Sequence, residues 1–330
     1  MSDADPRPRS VTVVVEWDNV RLSELGRARR MLAELDRQAA QLARSGHREW
    51  QGRPVRADIV LVFDSGRFDE ATVRQAVADS SAPGTSLPMR LLPAPGASYY
   101  QQKNMGAAAA TGDVVVFLDS DVVPEDGWLE SILRPFALPW VRCAAGNSYV
   151  DTGSVYGKAF ALTWFFPLRD HDGRRGLVAH FYANNVAFRR DFFLARGFAD
   201  DGGLARGACR RLAESIRAEG HKIAYDGAAR VSHPPPNGFR HYVERAIAQG
   251  RDNLLGGWHA SRSPFGPLRR WGTAMGTTTS RIWRGRKAVA LGALELPGAL
   301  LVSWGYCTLM LVGEAGAMIA PRFMRRRFQL

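Results

Sequence analysis

Asp119-Ser120-Asp121 puts two carboxylates one residue apart. Carboxylates so spaced can converge on one hard divalent cation, which prefers oxygen ligands and can share its remaining positions with a diphosphate. That chemistry needs the pair at an open edge of the fold. Residues 114–118, VVVFL, supply the edge: an unbroken apolar, β-branched run suits a strand buried on both faces of a parallel sheet. Ligands of open α/β sheets sit just outside the carboxyl ends of such strands. Pro124, Glu125 and Asp126 then read as the first turn of a helix.

The elements that must position this pair are legible on both sides of it. Residues 11–15 and 59–63 are further buried strands, ending in Glu16-Trp17-Asp18-Asn19 and Asp64-Ser65-Gly66. Between them Leu22, Leu25, Ala28, Leu32, Leu35, Ala39 and Leu42 recur at helical spacing, which predicts one long helix. Residues 69–80 read as a crossover helix, 89–92 as a short strand and 101–110 as an Ala-rich helix leading into the central strand. This alternation means an α/β fold with a doubly wound, mostly parallel sheet. Right-handed crossovers then bring Asp18, Asp64 and Asp119 to one rim. Beyond it, expected strands are 143–150 and 185–188, then 222–225 and 228–231 around a turn at Asp226-Gly227. Expected helices are 156–166, one from Asp191, and 208–219. Residues 170–175, DHDGRR, read as a charged loop.

Composition limits the partners. The chain of 330 residues has a net charge of +12, which favours phosphates or an acidic membrane surface. The basic residues are spread rather than arrayed in one stripe, so no nucleic-acid partner is expected. Three cysteines, far apart and odd in number, give neither a disulfide framework nor zinc spacing and point to a reducing, cytoplasmic setting. Residues 1–10 are expected to be a disordered tail rather than a signal peptide, 11–255 the main domain, and 256–330 a basic and apolar appendage. In the last, residues 296–313 carry no charge, near the minimum length for a membrane span, between Arg281, Arg284, Arg286 and Lys287 on one side and Arg322 and Arg325 to Arg327 on the other. Pro297 and three glycines weaken a regular helix there. Basic flanks at both ends favour an in-plane or re-entrant segment at the cytoplasmic face over a single crossing.

Taken together, Lys103-Asn104-Met105-Gly106, Ala110-Thr111-Gly112-Asp113 and Asp119-Ser120-Asp121, with Asn185-Val186-Ala187-Phe188-Arg189-Arg190, Gly197-Phe198 and Ala229-Arg230-Val231-Ser232-His233 further on, resemble the family 2 glycosyltransferases of GT-A fold over about residues 11–236. The resemblance implies a Rossmann-like sheet and a metal-dependent, inverting transfer from a nucleotide-diphosphate sugar donor to a glycan or lipid-linked acceptor. It implies donor contacts from Glu16, Asn19, Asp64, Lys103, Asn104, Asp113, Asp119 and Ser120. In it, Asp64 meets a base edge and Asp113 meets ribose or base. It also implies Mn2+ or Mg2+ held by Asp121, with Asp119 and His233 as further ligands.

One departure stands out. The family carries Gly-Glu-Asp before its acceptor-side helix, its Asp being the usual base, where this chain has Gly207-Ala208-Cys209. An inverting displacement needs a base within reach of the acceptor hydroxyl. Asp201 and Asp200 are the nearest substitutes, with Asp170 and Asp172 as weaker ones. A chain without a base is alternatively a nucleotide-sugar-binding protein. A nucleotidyltransferase would want a glycine-bearing phosphate loop after the first strand, and residues 16–21, EWDNVR, contain none.

Overall fold

The computed structural model describes residues 5–50, 52–80, 88–199, 207–255 and 266–327. Its strands are β1 (Ser10–Glu16), β2 (Arg56–Phe63), β3 (Met89–Pro93), β4 (Val114–Asp119), β5 (Val123–Pro124), β6 (Cys143–Val150), β7 (Arg175–Val178), β8 (Asn185–Arg189) and β9 (Ile223–His233). They form one sheet in the order β3-β2-β1-β4-β8-β6-β9-β5, with β7 beside β9. β3, β2, β1 and β4 are parallel, and β8 then pairs antiparallel to β4.

The apolar runs are unbroken because both faces of this sheet are covered. Val11, Val13 and Val15 pack with Ile59, Leu61, Val114, Val116 and the helix Leu25–Ser45 on one side. Val14, Val60, Val62, Val115 and Phe117 pack with the helix Tyr99–Ala109 and with Phe188, Phe193 and Phe198 on the other. Gly106 and Gly112 explain themselves here. A Cβ on Gly106 would lie 2.3 Å from Val14 Cγ1, and one on Gly112 would lie 2.5 Å from the Thr12 backbone nitrogen. Both glycines let backbone approach β1, which seats the helix that carries Lys103.

Three expectations are corrected by packing. Val123 and Pro124 form a short strand against Ser232 and Val231 instead of opening a helix, which starts at Trp128 after Gly127 in a left-handed conformation. β9 runs unbroken through Asp226-Gly227. Buried Asp226 takes an ion pair from Arg134 at 2.6 Å, and Gly227 gives room to Asp170, whose Oδ2 would lie 2.2 Å from an added Cβ. Residues 5–10, expected as tail, are tied down: Arg9 and Ser10 donate their backbone N–H groups to Asp113 Oδ2, and Asp5 pairs with Arg53.

The chain divides into two compact units. The first is Met1–Ser148, Arg169–Asp200 and Ala208–His233, and the second is Tyr149–Leu168, Asp201–Gly207 and Pro234–Leu330. The boundary expected at 255 therefore falls after His233. The reason lies in the helix Gly238–Leu255, which packs on the helix Leu296–Ile319 through facing glycines. A Cβ on Gly250 would lie 2.0 Å from the Met310 carbonyl, and one on Gly313 would lie 2.1 Å from that of Ile247. Small residues of this kind let two helices approach closely. Pro297 sits in the first turn of its helix, where the missing N–H costs nothing, and the helix continues past the expected end to Ile319.

Candidate active site

Strand register assembles the site. Glu16 at the end of β1 lies opposite Val62 on one side and Asp119 on the other. Asp18, Asp64 and Asp121 follow one or two residues beyond these strand ends, so five carboxylates share the carboxyl-terminal rim. Ser120 stitches the ends together: its N–H donates to the Glu16 carbonyl at 3.0 Å and its hydroxyl to the Trp17 carbonyl at 3.1 Å.

Asp119 is fully engaged. Lys103 Nζ donates to its Oδ1 at 2.5 Å, the Tyr99 hydroxyl lies 2.9 Å from both oxygens, and Asn19 Nδ2 donates to Oδ2 at 3.2 Å. Lys103 is completely buried and its ammonium also sits 4.7 Å from the centre of the Tyr99 ring. Breaking a buried pair of this kind by removing one partner costs about 3–5 kcal/mol. Tyr99 was missed in the sequence. It precedes Lys103 by four residues, so the two share one helix face, and that spacing was the available signal.

Glu16 is the second buried acid. Its Oε1 accepts the Asn19 N–H at 3.2 Å, while Oε2 has no hydrogen-bond partner among the described residues. Burial, reinforced by the Asp119 charge, pushes its carboxyl well above the usual carboxylate range. The folded chain therefore holds this proton more tightly than the unfolded chain. The stability it contributes is present below about pH 4.5 and is lost as pH rises from there through the folded value. Glu16→Gln keeps the acceptor for Asn19 and removes the titration. Its denaturant-derived stability is expected to fall less steeply than the parent's between pH 5 and 8, where one such group can impose up to about 1.4 kcal/mol per pH unit. Parallel profiles for the two chains would refute this.

Asp64 is an ionised acceptor. Burial pushes its carboxyl up, but the N–H groups of Gly96 (2.8 Å) and Gly66 (2.9 Å) and the Arg67 guanidinium (3.0 Å) outweigh that and hold it below the usual range. Arg67 also reaches Asp18 at 3.7 Å, while Asp18 Oδ1 accepts the Asp64 N–H.

Asp121 and His233 meet from opposite segments, with His233 Nε2 3.6 Å from Asp121 Oδ2. Arg27, buried on the long helix, fixes both. Its Nε donates to the Asp121 carbonyl at 2.6 Å and its Nη2 to the Ser232 carbonyl and hydroxyl at 2.7 Å. Nothing in the sequence distinguishes Arg27 from the exposed arginines beside it. Among the described residues no three His, Cys, Asp or Glu side chains gather into a self-sufficient metal site. One carboxylate and one imidazole suit Mn2+ better than Mg2+, which prefers oxygen ligands throughout; either ion would take its other ligands from a diphosphate and water.

Other expected residues have different roles. Asp113 stands at the amino-terminal end of β4, roughly 20 Å of extended chain from Asp119, and caps the start of β1, so a shared donor contact is excluded. Asn104 spends both ends of its amide on the Phe198 backbone, donating at 2.8 Å and accepting at 2.8 Å, which anchors the helix rather than a ligand. Asp170 is buried within its own turn, accepting from the N–H groups of Asp172 and Gly173, and Asp172 is exposed. Asp200 and Asp201 lie outside the described residues. At the position of the expected base, Ala208 is buried and Cys209 Sγ accepts from the Tyr100 hydroxyl at 3.6 Å.

Comparison with known proteins bears on the family and the fold. Residues 58–197 match the model of the glycosyl transferase family 2. A pre-mycofactocin glycosyltransferase of Mycobacterium tuberculosis is 56% identical over 158 residues, 45% of this chain and 32% of that protein. A glucosyl-dolichyl phosphate glucuronosyltransferase of Haloferax volcanii is 29% identical over 154 residues, 42% of this chain and 47% of that protein. The matched stretches thus span about a third to a half of these curated relatives. Among solved structures, a mannosyltransferase from Pyrobaculum calidifontis in complex with GDP-Man and Mn2+ superposes with a TM-score of 0.52 at 17% identity, covering 96% of this chain and 89% of that one. At that identity the likeness is one of fold.

Proposed function

We propose, from the premise that this chain carries a family-2-like glycosyltransferase domain of GT-A fold, that it transfers a sugar from a nucleotide-diphosphate donor to a lipid-linked or glycan acceptor with inversion. The observation that carries this reading is the meeting of Asp64, Asp119, Asp121 and His233 on one rim of the sheet. Asp64, ionised and fixed by two backbone N–H groups, accepts the imide or amino proton of the nucleobase. Lys103, Tyr99 and Asn19 hold Asp119 rigid at the ribose and diphosphate side. Asp121 and His233 would hold Mn2+ or Mg2+, with Arg27 setting the spacing of their segments. The ion would supply Lewis-acid neutralisation of the leaving diphosphate. The general base is assigned to Asp201 or Asp200.

The reading is tested by incubating the chain with labelled GDP- and UDP-sugars, with and without Mn2+, and following both thermal stability and label release to glycan or polyprenyl-phosphate acceptors. Selective binding raises apparent stability by mass action. Metal-dependent stabilisation with label transfer is expected. Stabilisation without any transfer favours the alternative, a nucleotide-sugar-binding protein that has lost its base, which the carboxylate-free stretch Gly207-Ala208-Cys209 supports. No stabilisation by any donor overturns both.

A lipid-linked acceptor and an anionic, cytoplasmic membrane surface suit the second unit. Its helix Leu296–Ile319 is long and apolar enough to cross a membrane and leaves Leu301, Val312 and Ile319 exposed at 73%, 52% and 85%. The relative from Haloferax volcanii is named for a dolichyl phosphate-linked substrate. The chain is expected to sediment with vesicles containing anionic lipid, more weakly with neutral ones, and to be released in part by salt because surface charge is screened. Equal recovery in the supernatant with both vesicle types would remove the membrane from the proposal.

A further inference from the structure

In the second unit the helices Gly266–Gly285 and Leu296–Ile319 lie side by side and antiparallel: Arg270 meets Glu314 at one end, and Thr279 meets Trp304 further along. Each leaves one side open. On the first helix Leu268, Gly272, Gly276 and Trp283 are exposed, with Met275 and Thr279 half-buried beside them. On the second, Leu301, Trp304, Thr308, Val312 and Ile319 are exposed. The spacings are those of one helix side, so each set is a stripe. The stripes adjoin, because Trp304 Nε1 donates to Thr279 Oγ1 at 3.0 Å and Trp271 Nε1 to Thr308 Oγ1 at 3.3 Å. Together they make one uncharged face roughly 25 Å long.

Two features of this face select its partner. Its polar groups are satisfied without water. Thr279 and Thr308 accept from the indoles and donate their hydroxyl protons to the Met275 and Trp304 carbonyls of their own helices, at 2.8 and 2.9 Å. Indole and hydroxyl groups facing water can bond to it, whereas in hydrocarbon they must find partners inside the protein. The second feature is charge. Residues 256–330 hold eleven arginines and lysines against two acids, Glu295 and Glu314. Both acids are already paired, Glu295 with Lys158 and Glu314 with Arg270, each at 2.8 Å. Exposed Arg281, Arg284 and Lys287 stand at one end of the face, and exposed Arg322 and Arg326 follow the other. A second copy of the chain would set cations against cations. Anionic lipid neutralises them.

The same helices fix the depth. Ten residues separate Arg270 from Arg281, about 15 Å of helix against a hydrocarbon core of about 30 Å. The first helix therefore cannot cross a bilayer, and the Trp–Thr bonds hold the second at its level. The second helix also packs, through Gly313 and Gly250, on Gly238–Leu255, which carries the ion pair of Arg240 and Glu244.

We propose that the second unit rests in the plane of an anionic bilayer on this two-helix face, with Leu268, Leu301, Trp304 and Val312 at the acyl boundary and the flanking cations on lipid phosphates. The inference rests on the membrane association proposed above and names its surface and its depth.

The test is sedimentation of the full chain with vesicles. Leu301→Glu with Val312→Glu is expected to lower binding to anionic vesicles by about 100-fold or more, since each apolar side chain withdrawn from lipid is worth about tenfold or more. Leu138→Glu, at an exposed apolar position of the first unit, should bind like the parent. Arg284→Gln with Lys287→Gln should weaken binding to anionic vesicles by roughly 10- to 30-fold and leave the weaker binding to neutral ones unchanged, each cation contributing about fivefold. A nitroxide on Val312→Cys, in a Cys209→Ser background, is expected about 5–10 Å below the phosphates. A parent that binds no vesicle removes the membrane reading itself, and this face with it. A parent that binds, with the Leu301 and Val312 double variant binding equally well, leaves that reading standing and overturns this face. A label at the bilayer midplane overturns it in favour of a crossing helix. A lipid-free dimer that the double variant dissociates overturns it in favour of a second copy of the chain.

Discussion

Asp121→Ala is expected to abolish the Mn2+-dependent part of donor binding, weakening nucleotide-sugar affinity by at least about 100-fold in the presence of the metal. Substituting groups that merely orient a metal ligand already costs about 10- to 100-fold in affinity or activity, and losing a ligand costs no less. Asp121 sets its carboxylate 3.6 Å from His233 Nε2. The fold should survive the change. What Arg27 grips is the Asp121 carbonyl, and that backbone contact persists in the alanine variant. Titration of a GDP- or UDP-sugar with and without Mn2+, alongside thermal unfolding, separates the outcomes. Unchanged metal-dependent affinity in a folded variant would remove Asp121 from the metal site. Lys103→Ala is the instructive contrast. It removes the counter-charge of a buried carboxylate, so it should lower stability whether or not donor is present.

The part of the site that lies on the parallel strands was legible in the sequence, because the signals there are local. Apolar runs with β-branched residues fix the strands, and an acid immediately after such a run must fall on the rim, as Asp64 and Asp119 do. What failed were inferences that ignored strand direction or side-chain satisfaction. Asp113 and Asp119 belong to one motif in sequence, but a six-residue strand separates them, so they face opposite ends of the sheet. Asn104 looked like a ligand-binding amide and is consumed by the Phe198 backbone. Gly227 looked like a turn and instead makes room for Asp170 within a continuous strand. Arg27 was illegible because its meaning depends on two segments, at Asp121 and Ser232, that are about 100 and 200 residues away along the chain. The division into units was hidden for the same reason: the glycine contacts of Gly250 and Gly313 exist only once both helices are formed.

Single asparagine substitutions at Asp201 and Asp200 are expected to lower turnover by about two to four orders of magnitude at one of the two positions, the usual cost of losing a general base, with donor affinity retained. An inverting displacement requires a group that accepts the proton of the attacking hydroxyl as the bond to the sugar forms. The stretch Gly207-Ala208-Cys209 offers no carboxylate, and Cys209 is engaged by the Tyr100 hydroxyl. Of the other acids considered from sequence, Asp170 is engaged inside its own turn and Asp172 lies on the exposed loop. Asp200 and Asp201 follow Gly197-Phe198, whose backbone Asn104 clamps to the helix that also carries Lys103. They precede Gly202-Gly203, a pair with the backbone freedom to orient a neighbouring carboxylate. The measurement is single-turnover transfer with saturating donor, so that binding and chemistry are read separately. A drop at one position with donor affinity unchanged identifies the base. Parental turnover in both single variants and in the double variant places the base elsewhere. A parent chain that binds donor and transfers nothing gives the protein the binding role instead.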